Sequence, residues 1–151
     1  MKADVNTLTH LFWDYNKKCF GNSLPTPYIE LFDRPGKIAS FEYHKNGNKA
    51  KKPIRNQIIY FSKTYEFNEN TMRDVMVHEM IHHYVRTIDG VFFDGFFCHG
   101  RHFVRQVKRI KKQYGLDIWI CSPHWHYRNE KPHTSRSTEF IAFLRNRLHL
   151  F

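Results

Sequence analysis

Val77-His78-Glu79-Met80-Ile81-His82 holds the residue types, at the spacing, that metal-assisted hydrolysis requires. On a helix of 3.6 residues per turn His78 and His82 project from one face, one turn apart, and two imidazoles so placed can hold a single metal ion. Glu79 falls about 100° further round, which puts a carboxylate beside the ion and not on it. A carboxylate there can take a proton from water that the ion has acidified, and His-Glu-x-x-His on a helix is the pattern that does so in zinc peptidases. The pattern is short, and 11 histidines are spread over 151 residues. Solvated or core histidines lying by chance near a glutamate are therefore the competing explanation, and a third ligand is what separates the two.

His99-Gly100-Arg101-His102-Phe103 opens a second helical pattern 17 residues after His82. Three histidines and a water complete a tetrahedral zinc site with one exchangeable position. His-Glu-x-x-His followed at this distance by His-Gly-x-x-Phe resembles the SprT-like metalloprotease domains. The likeness extends upstream to Phe12, Asn16, Phe20, Gly21 and Leu24, which are similar to that family's opening helix and its exit turn. It covers roughly residues 7 to 114. The metzincins, whose third histidine follows within six residues, do not fit, because Ile88 stands at that position.

The resemblance implies an α+β, zincin-like core, with a small antiparallel or mixed sheet of three or four strands packed on a central helix that carries the motif. It implies one Zn2+ held by His78, His82 and His99, Glu79 as general base, and endopeptidase action on protein substrates. Some SprT-like proteins of eukaryotes are DNA-dependent proteases acting on proteins crosslinked to DNA, so DNA is an implied partner. Many members also carry a four-cysteine zinc ribbon after the core. Here Cys121-x-x-His124 alone has ligand spacing in the tail, and no ribbon is expected. Tyr43, Tyr60 and His102 are candidate oxyanion donors, and Asp74, Asp89 and Asp94 are candidates to orient the imidazoles; the sequence ranks none of them.

The elements that must position these residues follow from hydropathy and turn chemistry. Residues 4 to 18 read as an amphipathic helix, with Val5, Leu8, Leu11, Phe12 and Tyr15 at three- and four-residue spacing, Asp4 as cap and Gly21-Asn22-Ser23 as its end. Tyr28 to Phe32 reads as a strand stopped by Asp33-Arg34-Pro35-Gly36, with Ile38 to Tyr43 as its hairpin partner. His44 to Arg55 is polar and basic, a solvated loop or, alternatively, a binding arm. Gln57 to Phe61, apolar on both faces, reads as a buried strand. Asn68 or Asn70 then caps a helix over about 70 to 87 that is apolar most of the way round and so belongs at the centre.

On that helix His83 lies well away from His78 and reads as a neighbour of the site, not a ligand. Asp89 to Cys98 places four phenylalanines between glycines, a loop either folded over the site or pinned to the core. Residues 100 to 114 read as a helix with Phe103, Val107, Ile110 and Tyr114 on one stripe, Arg101, Arg105, Lys108 and Lys112 on another, and Gly115 closing it. Beyond it, 118 to 121 reads as a strand and 137 to 148 as a helix. The division expected is a core over 1–115 and an extension over 116–151 packed on it.

A chain of this length buries about 70% of its unfolded surface as one domain. Three cysteines with no C-x-x-C exclude a disulfide framework and favour a reducing, cytoplasmic setting. Neither a secretory leader nor 18 consecutive apolar residues is present, so no membrane association is expected. The net charge of +10 favours a polyanionic partner. Six of the basic residues lie between Arg101 and Lys112 with no acid among them, which makes Arg101, Arg105, Lys108 and Lys112 the candidate nucleic-acid face. The rival to an enzyme is a zinc-stabilised DNA-binding or interaction module without turnover. Glu79 argues against it, since a purely structural site gains nothing from a carboxylate beside an open position.

Overall fold

The computed structural model describes residues 1–34, 36–43, 57–95 and 99–120. Helix α1, Val5–Phe20, begins where the Asp4 carboxylate accepts the Thr7 backbone N–H at 3.0 Å and ends at Gly21 in the left-handed region, φ 58°. Leu8 and Phe12 on its inner face are fully buried. Asn16, also buried, donates to the Leu24 carbonyl at 2.8 Å and accepts the Leu24 N–H at 3.2 Å. One side chain thus satisfies both backbone groups of the turn that leads out of the helix, and an unpaired amide there would cost about 1–3 kcal/mol.

Three strands follow: β1, Tyr28–Phe32; β2, Ala39–Tyr43; and β3, Gln57–Ser62. They form a small mixed sheet in the order β1-β3-β2, with Ile59 opposite Ile29 in the parallel pair and opposite Phe41 in the antiparallel pair. The hairpin expected between β1 and β2 does not form, because β3 lies between them. Ile58, Ile59 and Phe61 make β3 apolar on both faces, so burial favours the central position for it. The edges go to β1 and β2, which carry Glu30 and Glu42.

Helix α2, Glu69–Thr87, is capped by Asn68, whose side chain accepts the Thr71 N–H at 2.8 Å. Met72, Val75, Met76, Val77, Met80, Ile81 and Val85 are buried, so the helix is enclosed on most sides and packs against α1, β2 and α3. Helix α3, Arg101–Tyr114, turns Phe103, Val107 and Ile110 into the core and closes at Gly115, φ 69°. After it Leu116 and Ile118 return to the core, 8% and 2% exposed.

Residues 118 to 120 are not a strand, contrary to the expectation for that segment. The Trp119 carbonyl, which would serve a neighbouring strand, is committed to the side chain of His78. The basic stretch 44–55, Phe96 to Cys98, Cys121-x-x-His124 and the expected 137–148 helix lie outside the described residues. The fold is α+β, and no helix among the described residues is long and apolar enough to cross a membrane.

Candidate metal centre

The middle of α2 carries His78 and His82, and His99 stands two residues before α3, next to its N-cap Gly100. Their three Nε2 atoms converge, with separations of 3.2 Å for His78–His82, 3.0 Å for His82–His99 and 3.1 Å for His78–His99. Tetrahedral zinc with bonds of about 2.0–2.1 Å places its ligand nitrogens about 3.3–3.4 Å apart, so the triangle fits such an ion to within a few tenths of an ångström. Hydrogen bonding cannot replace it. Each Nε2 is either a donor or an acceptor, so among three mutually adjacent nitrogens at least one pair is always alike.

The His78 tautomer is decided by its other nitrogen. Nδ1 lies 2.7 Å from the Trp119 carbonyl, which can only accept, so Nδ1 carries the proton and Nε2 presents a bare lone pair to the centre. Burial drives the pKa of His78 well below its usual value, with help from the charges of His82 and His99. Burial likewise lowers His82 to about 3, again with His99 contributing, and His99 to about 4 against the opposing pull of Asp94. All three rings are therefore neutral near pH 7, the form in which imidazole binds a metal.

Phe103 forms the wall behind them. Its ring centroid is 4.8 Å from that of His78 and 4.6 Å from those of His82 and His99, and it is fully buried. That contact is the physical content of the His-Gly-x-x-Phe pattern, together with Gly100. A Cβ on Gly100 would sit 2.5 Å from the Asp94 carbonyl oxygen and 2.6 Å from its carboxylate, so no larger residue fits without displacing backbone. The Asp94 carboxylate caps α3 by accepting the N–H groups of His102 at 3.2 Å and Phe103 at 2.7 Å.

Glu79 is 3% exposed, and its carboxylate accepts the Phe41 backbone N–H of β2. Burial pushes its pKa up to about 8, against the Lys37 charge and that hydrogen bond, which lower it. His82 borders a cleft of about 400 Å³ that is also lined by Phe41, Tyr43, Arg86, Val91 and Phe92. Of the three oxyanion candidates, Tyr43 borders this cleft. His102 is turned to Asp89, with Nδ1 3.2 Å from its carboxylate, and Tyr60 packs edge-on to Phe32. His83 donates from Nε2 to the Pro25 carbonyl at 2.8 Å and accepts from the Thr87 hydroxyl at 3.1 Å; both nitrogens are satisfied away from the triangle.

A family model described as the SprT-like family matches residues 8–135. The chain belongs to the SprT-like family. No curated protein matches it. This family is of the metalloprotease type, and the match runs past the roughly 7 to 114 covered by the sequence resemblance. In the SprT-like chain the carboxylates considered for orienting imidazoles have other duties as well. Asp74 pairs with Arg73 at 2.8 Å, Asp89 with Arg105 at 2.7 Å, and Asp94 caps α3. The Trp119 carbonyl was invisible to a reading by residue type, since any residue supplies one.

Arg101, Arg105, Lys108 and Lys112 are exposed along α3 as the spacing predicted. The tertiary structure modifies their charge balance, because Asp89 reaches Arg105 and Asp117 reaches Lys111 at 3.0 Å. The helix therefore does not bear its repulsion alone. Of the phenylalanine loop, Phe92 and Phe93 are exposed, so these two rings do not pin it to the core.

Proposed function

We propose that this chain is a zinc-dependent metalloendopeptidase with a zincin-like core, and that His78, His82 and His99 hold the ion while Glu79 is the general base. The observation that carries this reading is the triangle of neutral Nε2 atoms together with the buried carboxylate of Glu79 next to His78, with His82 on the wall of a cleft. Zinc bound there would supply a Lewis acid that acidifies water and polarises a peptide carbonyl. The protein's own groups do the rest. Glu79 takes the proton of the attacking water on a carboxylate oxygen and passes it to the leaving amine nitrogen. Burial raises its proton affinity, and a cation among the imidazoles lowers it again, so the two influences together bring it towards the working range of an acid–base group. Phe103 and the Trp119 carbonyl keep the rings fixed. The Phe41 N–H holds Glu79 against β2, an edge strand of the sheet among the described residues, along which an extended chain can lie.

DNA is the proposed second partner, along Arg101, Lys108 and Lys112, which are exposed and show no carboxylate partner among the described residues. A cytoplasmic setting is supported by the odd cysteine count and by the free, buried Cys19. The test is metal analysis of the purified protein combined with cleavage of an unfolded protein such as casein, with and without DNA. Stoichiometric zinc with chelator-sensitive cleavage is the expected result. Zinc without cleavage under any condition would favour the zinc-stabilised binding module.

A further inference from the structure

Arg86 lies one helical turn beyond His82, on the same face of α2 and on the wall of the same cleft. Its guanidinium carbon is 3.6 Å from the centre of the Phe92 ring and 4.1 Å from that of Tyr43. These two rings meet edge to face with centroids 6.4 Å apart, so they bracket the guanidinium and fix its plane. What they leave unpaired is its N–H edge. Nε is buried without a hydrogen-bond partner, and among the described residues no carboxylate forms an ion pair with Arg86. Asp94, the one acid on the cleft wall, spends both oxygens on the first turn of α3.

A buried donor left unsatisfied is costly and rare, and a guanidinium stacked on aromatic faces is arranged to receive a planar anion at its edge. The remaining walls, Phe41, Val85, Val91 and Phe92, are apolar and suit a methylene stem leading to that anion. The volume of about 400 Å³ accommodates one large side chain.

We propose that this cleft is a substrate subsite for a carboxylate side chain, Asp or Glu, lying one or two residues from the bond cleaved, and that Arg86 is the residue that sets this preference. The placement follows from distance: four residues of helix separate His82 from Arg86 by about 6 Å, and an extended peptide advances about 3.3 Å per residue. The inference rests on the peptidase reading for the identity of the ligand, and not for the existence of an anion site. Phe92 belongs to the loop between α2 and His99, and its exposed ring forms part of the subsite wall.

The experiment compares the zinc-loaded protein with Arg86→Gln and Arg86→Lys on a pair of peptides identical except for Glu or Gln near the scissile bond, chosen from bonds cut in an unfolded protein. The wild type should prefer the Glu peptide by about 10- to 100-fold in kcat/KM, the range for a charge-assisted hydrogen bond. Arg86→Gln should bring that ratio close to one, and Arg86→Lys should restore part of it. A ratio near one in the wild type, or one unchanged by Arg86→Gln, overturns the proposal. Should no peptide be cut by any of the three proteins, the peptidase reading fails and a binding arm decides the subsite. Glu79→Gln protein, with and without Arg86→Gln, is titrated with the same two peptides. Selective binding of the Glu peptide that requires Arg86 retains the carboxylate site; equal binding overturns it.

Discussion

The His78 Nδ1–H donates to the backbone carbonyl of Trp119 at 2.7 Å, across 41 residues of sequence. This bond makes the segment after α3 part of the candidate metal centre, because it fixes which nitrogen of His78 faces the other two histidines. Ile118, 2% exposed and next to Trp119, anchors that segment. Ile118→Ala should therefore destabilise the fold by about 2–5 kcal/mol, as cavity-forming core substitutions do. It should also weaken zinc affinity by about 10- to 100-fold, the usual cost of losing an outer hydrogen bond to a ligand. Denaturation and competition with a zinc chelator measure the two effects separately; loss of stability with unchanged zinc affinity would detach Trp119 from the site.

His99→Ala should lower metal content and thermal stability together. The reason is that His99 closes the triangle with nitrogens 3.0 and 3.1 Å away, and binding to a site absent from the unfolded chain is coupled to folding. Metal analysis beside a melting curve checks it, and full zinc retention would remove His99 from the ligand set.

Glu79→Gln should keep the zinc and the fold while proteolysis falls by about 10²- to 10⁴-fold. The amide preserves shape and can still accept the Phe41 N–H, but cannot take a proton. Undiminished cleavage would rule out the proton-transfer role, and loss of zinc would make the carboxylate structural.

The metal-stripped protein should be most stable near pH 6.5. His78, His82 and His99 have folded pKa values depressed below 6.5, so the unfolded chain binds more protons than the native one as pH falls. Their stabilising contribution is complete above about pH 6.5 and is lost towards pH 4 for His99 and pH 3 for His82. Glu79 works oppositely, since its folded pKa is raised from 4.5 to about 8. The native state holds that proton longer, so the Glu79 contribution declines as pH rises from 4.5 to about 8 and levels off above, by at most about 1.4 kcal/mol per pH unit. Urea denaturation in chelator from pH 4 to 9 should show both limbs, and Glu79→Gln should flatten only the alkaline one. An unchanged alkaline limb in that variant would assign it to another group.

Lys108 and Lys112 together changed to Ala should make the slope of log affinity against log salt shallower by about 1.8 for duplex DNA, at about 0.9 per phosphate contact. The effect should be alike for unrelated sequences, since phosphate contacts carry no base information. Arg105 is a poorer choice because its guanidinium is already held by Asp89 at 2.7 Å. An identical slope in variant and wild type would leave α3 a solvated face.

The amino-acid sequence by itself determined the three described helices and the two halves of the histidine triad. Helix periodicity and capping are local, so Asp4, Gly21, Gly115 and the pair Asn68 or Asn70, of which Asn68 is the cap, marked ends of α1, α2 and α3 without reference to any distant residue. An i, i+4 histidine pair is local too, and His99 was reachable because it sits in a short motif with Gly100 and Phe103. Strand order was not local. Tyr28–Phe32 and Ala39–Tyr43 looked like a hairpin across a strong turn, but burial on both faces drew Gln57–Ser62 between them. The same holds for charge and for hydrogen bonds: Asp89 on Arg105, the Trp119 carbonyl on His78, and Arg86 between Tyr43 and Phe92 join residues from separate elements. Such pairings depend on packing that brings distant backbone within about 3 Å, and a one-dimensional pattern of residue types does not encode that distance.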